Sequence, residues 1–184
     1  MLRLTLFSLL LATAAAAPAS AQTRAHAEAR PSPNALVGQT IGTTDVLVTY
    51  GRPSVRERVI FGADSTALVP YGEVWRLGAN EATTITVSAP VRVAGQPLAA
   101  GTYAVFAIPG AAEWTLIFNR TAAQWGAFRY DPAQDALRVT AAPEAFPHTQ
   151  EMFEIGFERI DAAGATLTFG WDRVRVPVRI ETAG

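Results

Sequence analysis

The segment WDRVRVPVRI, residues 171–180, decides the fold class of this chain. Its apolar side chains fall on one face of an extended strand, at Val174, Val176, Val178 and Ile180. The opposite face carries Arg173, Arg175, Pro177 and Arg179. An apolar residue at every second position predicts a β-strand that buries one face. The proline predicts that this strand lies at an edge of its sheet, because proline has no backbone N–H to donate.

The same period of two residues extends upstream. It places Phe153, Ile155 and Phe157 on one face of a strand, and Leu167, Phe169 and Trp171 on one face of the next. Residues 103–108 are apolar on both faces, which predicts a central strand. Roughly eight to ten short strands separated by glycine and proline turns predict an all-β protein, an antiparallel β-sandwich or a barrel-like fold. At most one short helix is expected, near residues 121–127.

The first 21 residues have the pattern of a secretory signal peptide. A basic start at Arg3 is followed by an apolar run and by the small residues Ala19-Ser20-Ala21. This pattern predicts cleavage after Ala21 and a periplasmic or secreted protein with no membrane span after cleavage. Residues 22–33 are small, polar and interrupted by proline, which predicts a flexible leader. Residues 34–182 are then expected to form a single β domain.

Composition and charge narrow the function classes. Cleavage would remove Arg3, so that 14 of the 15 cationic residues remain against 16 acidic residues, a balance that argues against nucleic-acid binding. Metal ligands are scarce, because the chain has no cysteine and its two histidines are His26, in the leader, and His148. We therefore predict no metal site and, without phosphate-loop or dinucleotide motifs, no cofactor. The residue inventory leaves open whether the protein is an enzyme and favours one that is not.

Polar residues are concentrated between Val48 and Ile85, among glycine and proline turns. Functional groups often lie on loops that a rigid scaffold positions. The candidate ligand-binding residues in this region are Arg52, Tyr71, Trp75, Arg76, Asn80 and Glu81. An arginine binds carboxylate or phosphate with two parallel hydrogen bonds, asparagine both donates and accepts, and an aromatic ring offers a stacking face.

These residues predict a site that binds a small polar or glycan-like ligand, or an envelope partner. One alternative is a periplasmic hydrolase that uses Glu81 as acid or base, and another is a structural envelope module that makes its contacts through the arginine-rich edge strand. For the loop itself, the structural alternative to a pocket is a semi-buried ion pair of Arg76 with Glu81 that fixes the loop over the core. An enzyme predicts a cleft with a perturbed carboxylate, a binding module predicts a pocket without one, and a structural module predicts no pocket and an exposed apolar or edge-strand patch. Glu154 and Glu158 are expected to neutralise strand arginines on an outer sheet face.

Several motifs give this chain a resemblance to a known family. They are Tyr50-Gly-Arg-Pro-Ser-Val, Ile60-Phe-Gly, Leu68-Val-Pro-Tyr-Gly, Val74-Trp-Arg, Gly78-Ala-Asn-Glu-Ala-Thr, Ala100-Gly-Thr-Tyr, Glu113-Trp-Thr-Leu-Ile-Phe-Asn, Trp125-Gly and Tyr130. Together they resemble the bacterial family known as domain of unknown function 2911. The resemblance implies a secreted, β-rich protein of unassigned activity and supplies no catalytic residues. Where the family has Lys-Gly before an arginine, this chain has Arg56-Glu57 before Arg58.

Overall fold

The computed structural model describes Arg24 and residues 28–182. The predicted signal peptide, residues 1–21, lies outside the described residues, as do residues 25–27 of the predicted leader. Within the described part no helix is both long enough and apolar enough to cross a membrane.

Twelve strands and one short helix make up the described chain. The strands are β1 (Asn34–Ile41), β2 (Thr44–Gly51), β3 (Phe61–Gly62), β4 (Val69–Pro70), β5 (Thr83–Val87), β6 (Val91–Val93), β7 (Gln96–Leu98), β8 (Gly101–Ile108), β9 (Trp114–Asn119), β10 (Asp135–Ala141), β11 (Glu144–Glu158) and β12 (Gly164–Thr182). The helix is a single 3-10 turn at Pro132–Gln134, capped by the Asp131 side chain. The all-β prediction is confirmed, and the strands outnumber the predicted eight to ten because β3 and β4 have only two residues each.

Two open antiparallel sheets form a sandwich. The larger sheet has the order β1-β2-β5-β8-β9-β10, and the second sheet has the order β11-β12-β6-β7. The pair β3 and β4 forms a separate, parallel two-stranded sheet. β8 lies between β5 and β9, so the prediction of a central strand at residues 103–108 is confirmed.

One hydrophobic core joins the two sheets. Val48 of β2 and Val105 of β8 belong to the same buried cluster as Phe153 of β11 and Trp171 of β12. The alternation read from residues 171–180 is observed, since Val176, Val178 and Ile180 are buried and Val174 packs against the same cluster. The face of β11 is buried at Phe153 and Ile155, whereas Phe157 is only half-buried.

Two local predictions need correction. β12 lies between β11 and β6, so it is not an edge strand. Pro177 is tolerated there because the pairing with β11 ends at Arg175 and the pairing with β6 begins at Ile180, so no partner needs its missing N–H. The short helix lies at residues 132–134, whereas residues 121–127 form a loop.

Candidate functional site

The chain between β4 and β5 is attached to the larger sheet by a few backbone hydrogen bonds. Trp75 exchanges two hydrogen bonds with Ala107 of β8, each 2.8 Å long. Thr83, the first residue of β5, donates its N–H to the Arg76 carbonyl at 3.2 Å and its hydroxyl to the Leu77 carbonyl at 2.6 Å. Residues 75–83 are therefore a fixed loop, and the rigid sheet determines where the Arg76 side chain lies.

A tight turn follows Arg76. The backbone φ angles are 51° at Leu77, 150° at Gly78 and 64° at Asn80, all in the region that favours glycine or asparagine. The turn also packs closely on the end of β2, since a Cβ at Gly78 would lie 2.8 Å from the Gly51 carbonyl oxygen. Gly78 is thus required both by its backbone angle and by the space available.

A cavity of about 250 Å³ lies beside this turn. We call it the Arg76 cavity, and its lining residues are Ser32, Pro53, Arg58, Leu68, Val69, Trp75, Arg76, Gly78, Ala79, Asn80 and Trp171. Three of the six candidate residues, Trp75, Arg76 and Asn80, are therefore brought together. Its volume is close to the lower end of the roughly 300 to 1,000 Å³ that is usual for small-molecule sites.

Two nitrogen atoms of the lining residues are shielded from solvent and have no hydrogen-bond partner among the described residues. They are Nε of Arg76 and Nε1 of Trp171. Trp171 as a whole is only 2% exposed. Burial lowers the pKa of Arg76 below its ordinary value, because the charged form has lost hydration without gaining a carboxylate partner. A buried donor without an acceptor costs ~1 to 3 kcal/mol, so both residues of the lining carry an uncompensated polar group.

The neighbouring lining residues are better satisfied. Trp75 donates its indole N–H to the Gly78 carbonyl at 3.1 Å. Asn80 donates its side-chain amide to the Ser32 carbonyl at 3.1 Å, which attaches the segment before β1 to the cavity wall. The exposed Arg58 donates to the Val55 and Ser54 carbonyls at 3.0 and 2.6 Å. These hydrogen bonds hold the Arg58 guanidinium at the cavity mouth.

The loop that carries Arg58 has a strained backbone. Arg56 and Glu57 have φ angles of 48° and 57°, a conformation that glycine adopts most readily. Glu57 occupies the position at which the family pattern described above has glycine. The loop is held against β11 by two backbone donors. Val55 donates its N–H to the Glu151 carbonyl at 2.8 Å, and Arg56 donates its backbone N–H to the Glu151 carboxylate at 3.1 Å.

Glu81 lies outside the cavity lining, in a buried cluster of charges. Arg30 binds its carboxylate with two hydrogen bonds of 2.8 and 3.1 Å, and Arg24 approaches it at 3.4 Å. The predicted pair of Arg76 with Glu81 is therefore replaced by pairs with two arginines from the segment before β1. Burial alone would raise the pKa of Glu81, but the hydrogen bonds and charges of Arg30 and Arg24 outweigh it and lower the pKa. An ionised, doubly paired glutamate is poorly suited to act as a general acid.

The remaining two candidates also lie outside the cavity lining. Arg52 follows β2 and donates to the Phe153 carbonyl at 3.0 Å and to Glu154 at 3.3 Å, so it links the two sheets. Tyr71 is half-buried and donates its backbone N–H to the Gly62 carbonyl at 2.8 Å. Both residues therefore attach their own segments to neighbouring strands, Arg52 to β11 and Tyr71 to β3.

Trp75 belongs to an aromatic cluster. Its ring stacks on Trp171, with centroids 5.7 Å apart and planes inclined at 16°, and meets the rings of Phe61, Trp114 and Phe153 edge to face. This packing places two aromatic side chains side by side in the cavity wall. One wall of the cavity is therefore continuous with the core of the sandwich.

A second concave region lies on the outer face of β11 and β12. It is lined by Phe146, Gln150, Glu154, Gly156, Phe157, Glu158, Thr168, Gly170 and Arg175. Its charged groups are paired with one another or with Arg52: Arg175 binds Glu158 and also Glu144, and Arg52 binds Glu154. The prediction that Glu154 and Glu158 neutralise arginines is confirmed, and this region has the character of a solvated sheet face.

Arg58, Trp171 and Ser32 line the cavity but are absent from the sequence-based candidates. Arg58 lies within the polar stretch 48–85, so its cationic side chain was a usable signal. Trp171 reads as a core residue of an alternating strand, and nothing in its local sequence reveals an indole N–H without a partner. Metal binding has no geometric support in the described residues, since no three histidine or acidic side chains lie close enough to hold an ion.

Comparisons with known proteins place the chain in one family. No curated protein and no solved structure matches it. The model of the family described as "Protein of unknown function (DUF2911)" matches residues 32–180, and the chain therefore belongs to this family.

Proposed function

We propose that this protein is a binding module that holds a small polar ligand in the Arg76 cavity. The observation that carries the proposal is Arg76, which lines this cavity, is half-buried and has no carboxylate partner among the described residues. Its Nε is shielded from solvent, so a ligand that supplies acceptors would bind the outer nitrogen atoms of the guanidinium group.

The lining also favours binding over catalysis. None of the described residues that line the Arg76 cavity is an aspartate, glutamate, histidine or cysteine, so this part of the wall offers no general base and no strong nucleophile. Glu81, the proposed acid or base of a hydrolase, is held by Arg24 and Arg30 outside this wall. A preformed pocket without a perturbed carboxylate is what a binding module predicts.

A thermal-shift screen tests this proposal. The wild-type protein is scanned with amino acids, organic acids, sugars and sugar phosphates, because a ligand of the native state raises the melting temperature. Arg76→Met removes the cation at similar length, and Arg92→Met is the matched control at an exposed arginine of β6. We expect at least one compound to stabilise the wild type and Arg92→Met but not Arg76→Met. Stabilisation that persists in Arg76→Met, or none in the wild type, would contradict the proposal.

We also propose that the protein acts outside the cytoplasm. The support is the apolar run that ends at Ala19-Ser20-Ala21. Mass spectrometry of protein recovered from the periplasm or medium should give Gln22 as its first residue. A Met1 start on cell-retained protein would contradict export.

A further inference from the structure

The charge of the Arg76 cavity is one-sided. Among the described residues, its lining holds two guanidinium groups, from Arg58 and Arg76, and no carboxylate. Neither arginine has an aspartate or glutamate oxygen within 4.0 Å in this part of the chain. The described part of the protein therefore presents positive charge to this cavity without a counter-ion of its own.

Arg76 differs in this respect from the other shielded arginines. Every other buried or half-buried arginine in the described ranges forms an ion pair, namely Arg24, Arg30, Arg52, Arg175 and Arg179. The arginines without a carboxylate are otherwise exposed and are hydrated by solvent. A partly desolvated guanidinium that lacks a counter-ion is costly, so this position is one at which an external anion would bind with a gain in free energy.

The rest of the lining is mixed. Ser32 and Asn80 are polar, Trp75, Trp171 and Val69 are buried, and Leu68 is 46% exposed. A bare inorganic anion would cover the charge but leave the Leu68 side chain in contact with water. An anion attached to a flat or branched apolar body would cover both.

We infer that the ligand of the Arg76 cavity is a small organic anion, with its carboxylate or phosphate group at Arg76 and Arg58 and its apolar body against Leu68 and the exposed part of Trp75. This inference rests on the proposed function, since it names the ligand class of the same cavity. A guanidinium binds either oxyanion with paired, charge-assisted hydrogen bonds.

The test compares probes that differ in charge alone or in apolar body alone. Isothermal titration calorimetry at constant ionic strength is run with benzoate and with benzamide, its neutral counterpart, and then with phenyl phosphate and with inorganic phosphate. We expect benzamide and inorganic phosphate each to bind about ten-fold or more weakly than the better of the two organic anions. Which of benzoate and phenyl phosphate binds more tightly decides between the two oxyanions.

Two variants locate the binding. Arg76→Met should weaken binding of the better organic anion about ten-fold or more, whereas Arg92→Met should leave it unchanged. Replacing an uncompensated cation is not expected to unfold the protein, which far-UV circular dichroism checks. If Arg76→Met does not fold, the comparison on the wild type of the better organic anion with benzamide and with inorganic phosphate decides by itself.

The outcomes separate the two proposals. Binding of benzamide or of inorganic phosphate as tight as that of the better organic anion, or an unchanged affinity in Arg76→Met, would overturn the organic-anion inference. If a neutral compound from the thermal-shift screen binds and depends on Arg76 while both organic anions fail, the binding module stands and the ligand class is wrong. If no probe and no library compound binds, both proposals fail.

Discussion

Glu81 shows how one residue can look like a catalytic group in sequence and have a structural role in the fold. It follows the Gly78-Ala79-Asn80 turn, but the residue is only 4% exposed and its carboxylate faces Arg24 and Arg30. Its ion pairs join the segment before β1 to the start of β5. The same segment supplies Ser32 to the cavity, so Glu81 supports the candidate site without lining it.

Glu81→Gln should destabilise the protein in a pH-dependent way. Leaving Arg24 buried beside a neutral amide should cost ~3 kcal/mol at pH 7, near the lower end for removing one partner of a buried pair. Because the pKa of Glu81 is lowered in the fold, its stabilisation is complete above the ordinary glutamate pKa of about 4.3 and is lost as the pH falls through the folded value. Urea unfolding of both proteins at several pH values between 7 and 3 measures the difference.

The difference in the free energy of unfolding between wild type and Glu81→Gln should therefore be largest at neutral pH and should decrease in acid. Asp64 and Asp161 also have lowered pKa values, because hydrogen bonds from Thr66 and Arg179 favour their charged forms. Both are present in both proteins, so they cancel in the comparison. A gap that stays constant down to pH 3 would show that the Glu81 charge does not contribute.

Phe153 and Phe157 give a second prediction at the residue scale. They lie on the same face of β11, yet Phe153 is 1% exposed within the aromatic cluster and Phe157 is half-buried. Phe153→Ala should cost ~3 to 5 kcal/mol, the range for deleting a buried phenylalanine. Phe157→Ala should cost clearly less, because part of its ring already contacts water. Denaturant midpoints compare the two, and equal losses would mean that the register of β11 differs from that observed.

At the scale of elements, the close contact between the end of β2 and the turn after Arg76 sets the shape of the cavity region. Gly51 is the last residue of β2, and a Cβ there would lie 2.3 Å from the Ala79 carbonyl oxygen. Such a distance cannot be accommodated unless the backbone moves. The two elements therefore approach each other only because glycine occupies both Gly51 and Gly78.

Gly51→Ala tests this contact. It should destabilise the protein by ~1 to 3 kcal/mol, the usual cost of overpacking, and lower the melting temperature by several degrees. Gly156→Ala in β11 is the control, since its Cβ would meet Thr168 Oγ1 at an ordinary 3.6 Å. If Gly51→Ala and Gly156→Ala have the same melting temperature, then the turn after Arg76 packs less closely on β2 than the structure shows.

At the scale of the whole molecule, the shared core predicts cooperative unfolding. The large buried cluster contains residues of both sheets, including Trp114 of β9 and Trp171 of β12. Neither sheet can keep its buried face without the other, so we expect a single two-state transition. Tryptophan fluorescence and far-UV circular dichroism should give the same urea midpoint. Two separated midpoints would show that one sheet persists after the other has unfolded.

The sequence by itself determined the fold class and much of the core. Alternation at period two depends only on neighbouring residues, so the buried faces of Val176, Val178 and Ile180, and of Phe153 and Ile155, could be read directly. The doubly apolar segment 103–108 likewise predicted a central strand, now seen as β8. Local turn residues also indicated which region of the chain holds the candidate site.

Only the tertiary structure decided which charged groups meet. Glu81 could be paired with Arg76 on sequence proximity, but it binds Arg24 and Arg30, 57 and 51 positions away. Trp171 reaches the cavity from β12, and its distance along the chain from Arg76 hides the connection. The physical reason is the distance along the chain over which each kind of interaction acts. Backbone periodicity is set by adjacent residues, whereas ion pairs and cavities depend on how distant segments pack, and in the described part of the chain that packing leaves Arg76 without a counter-ion.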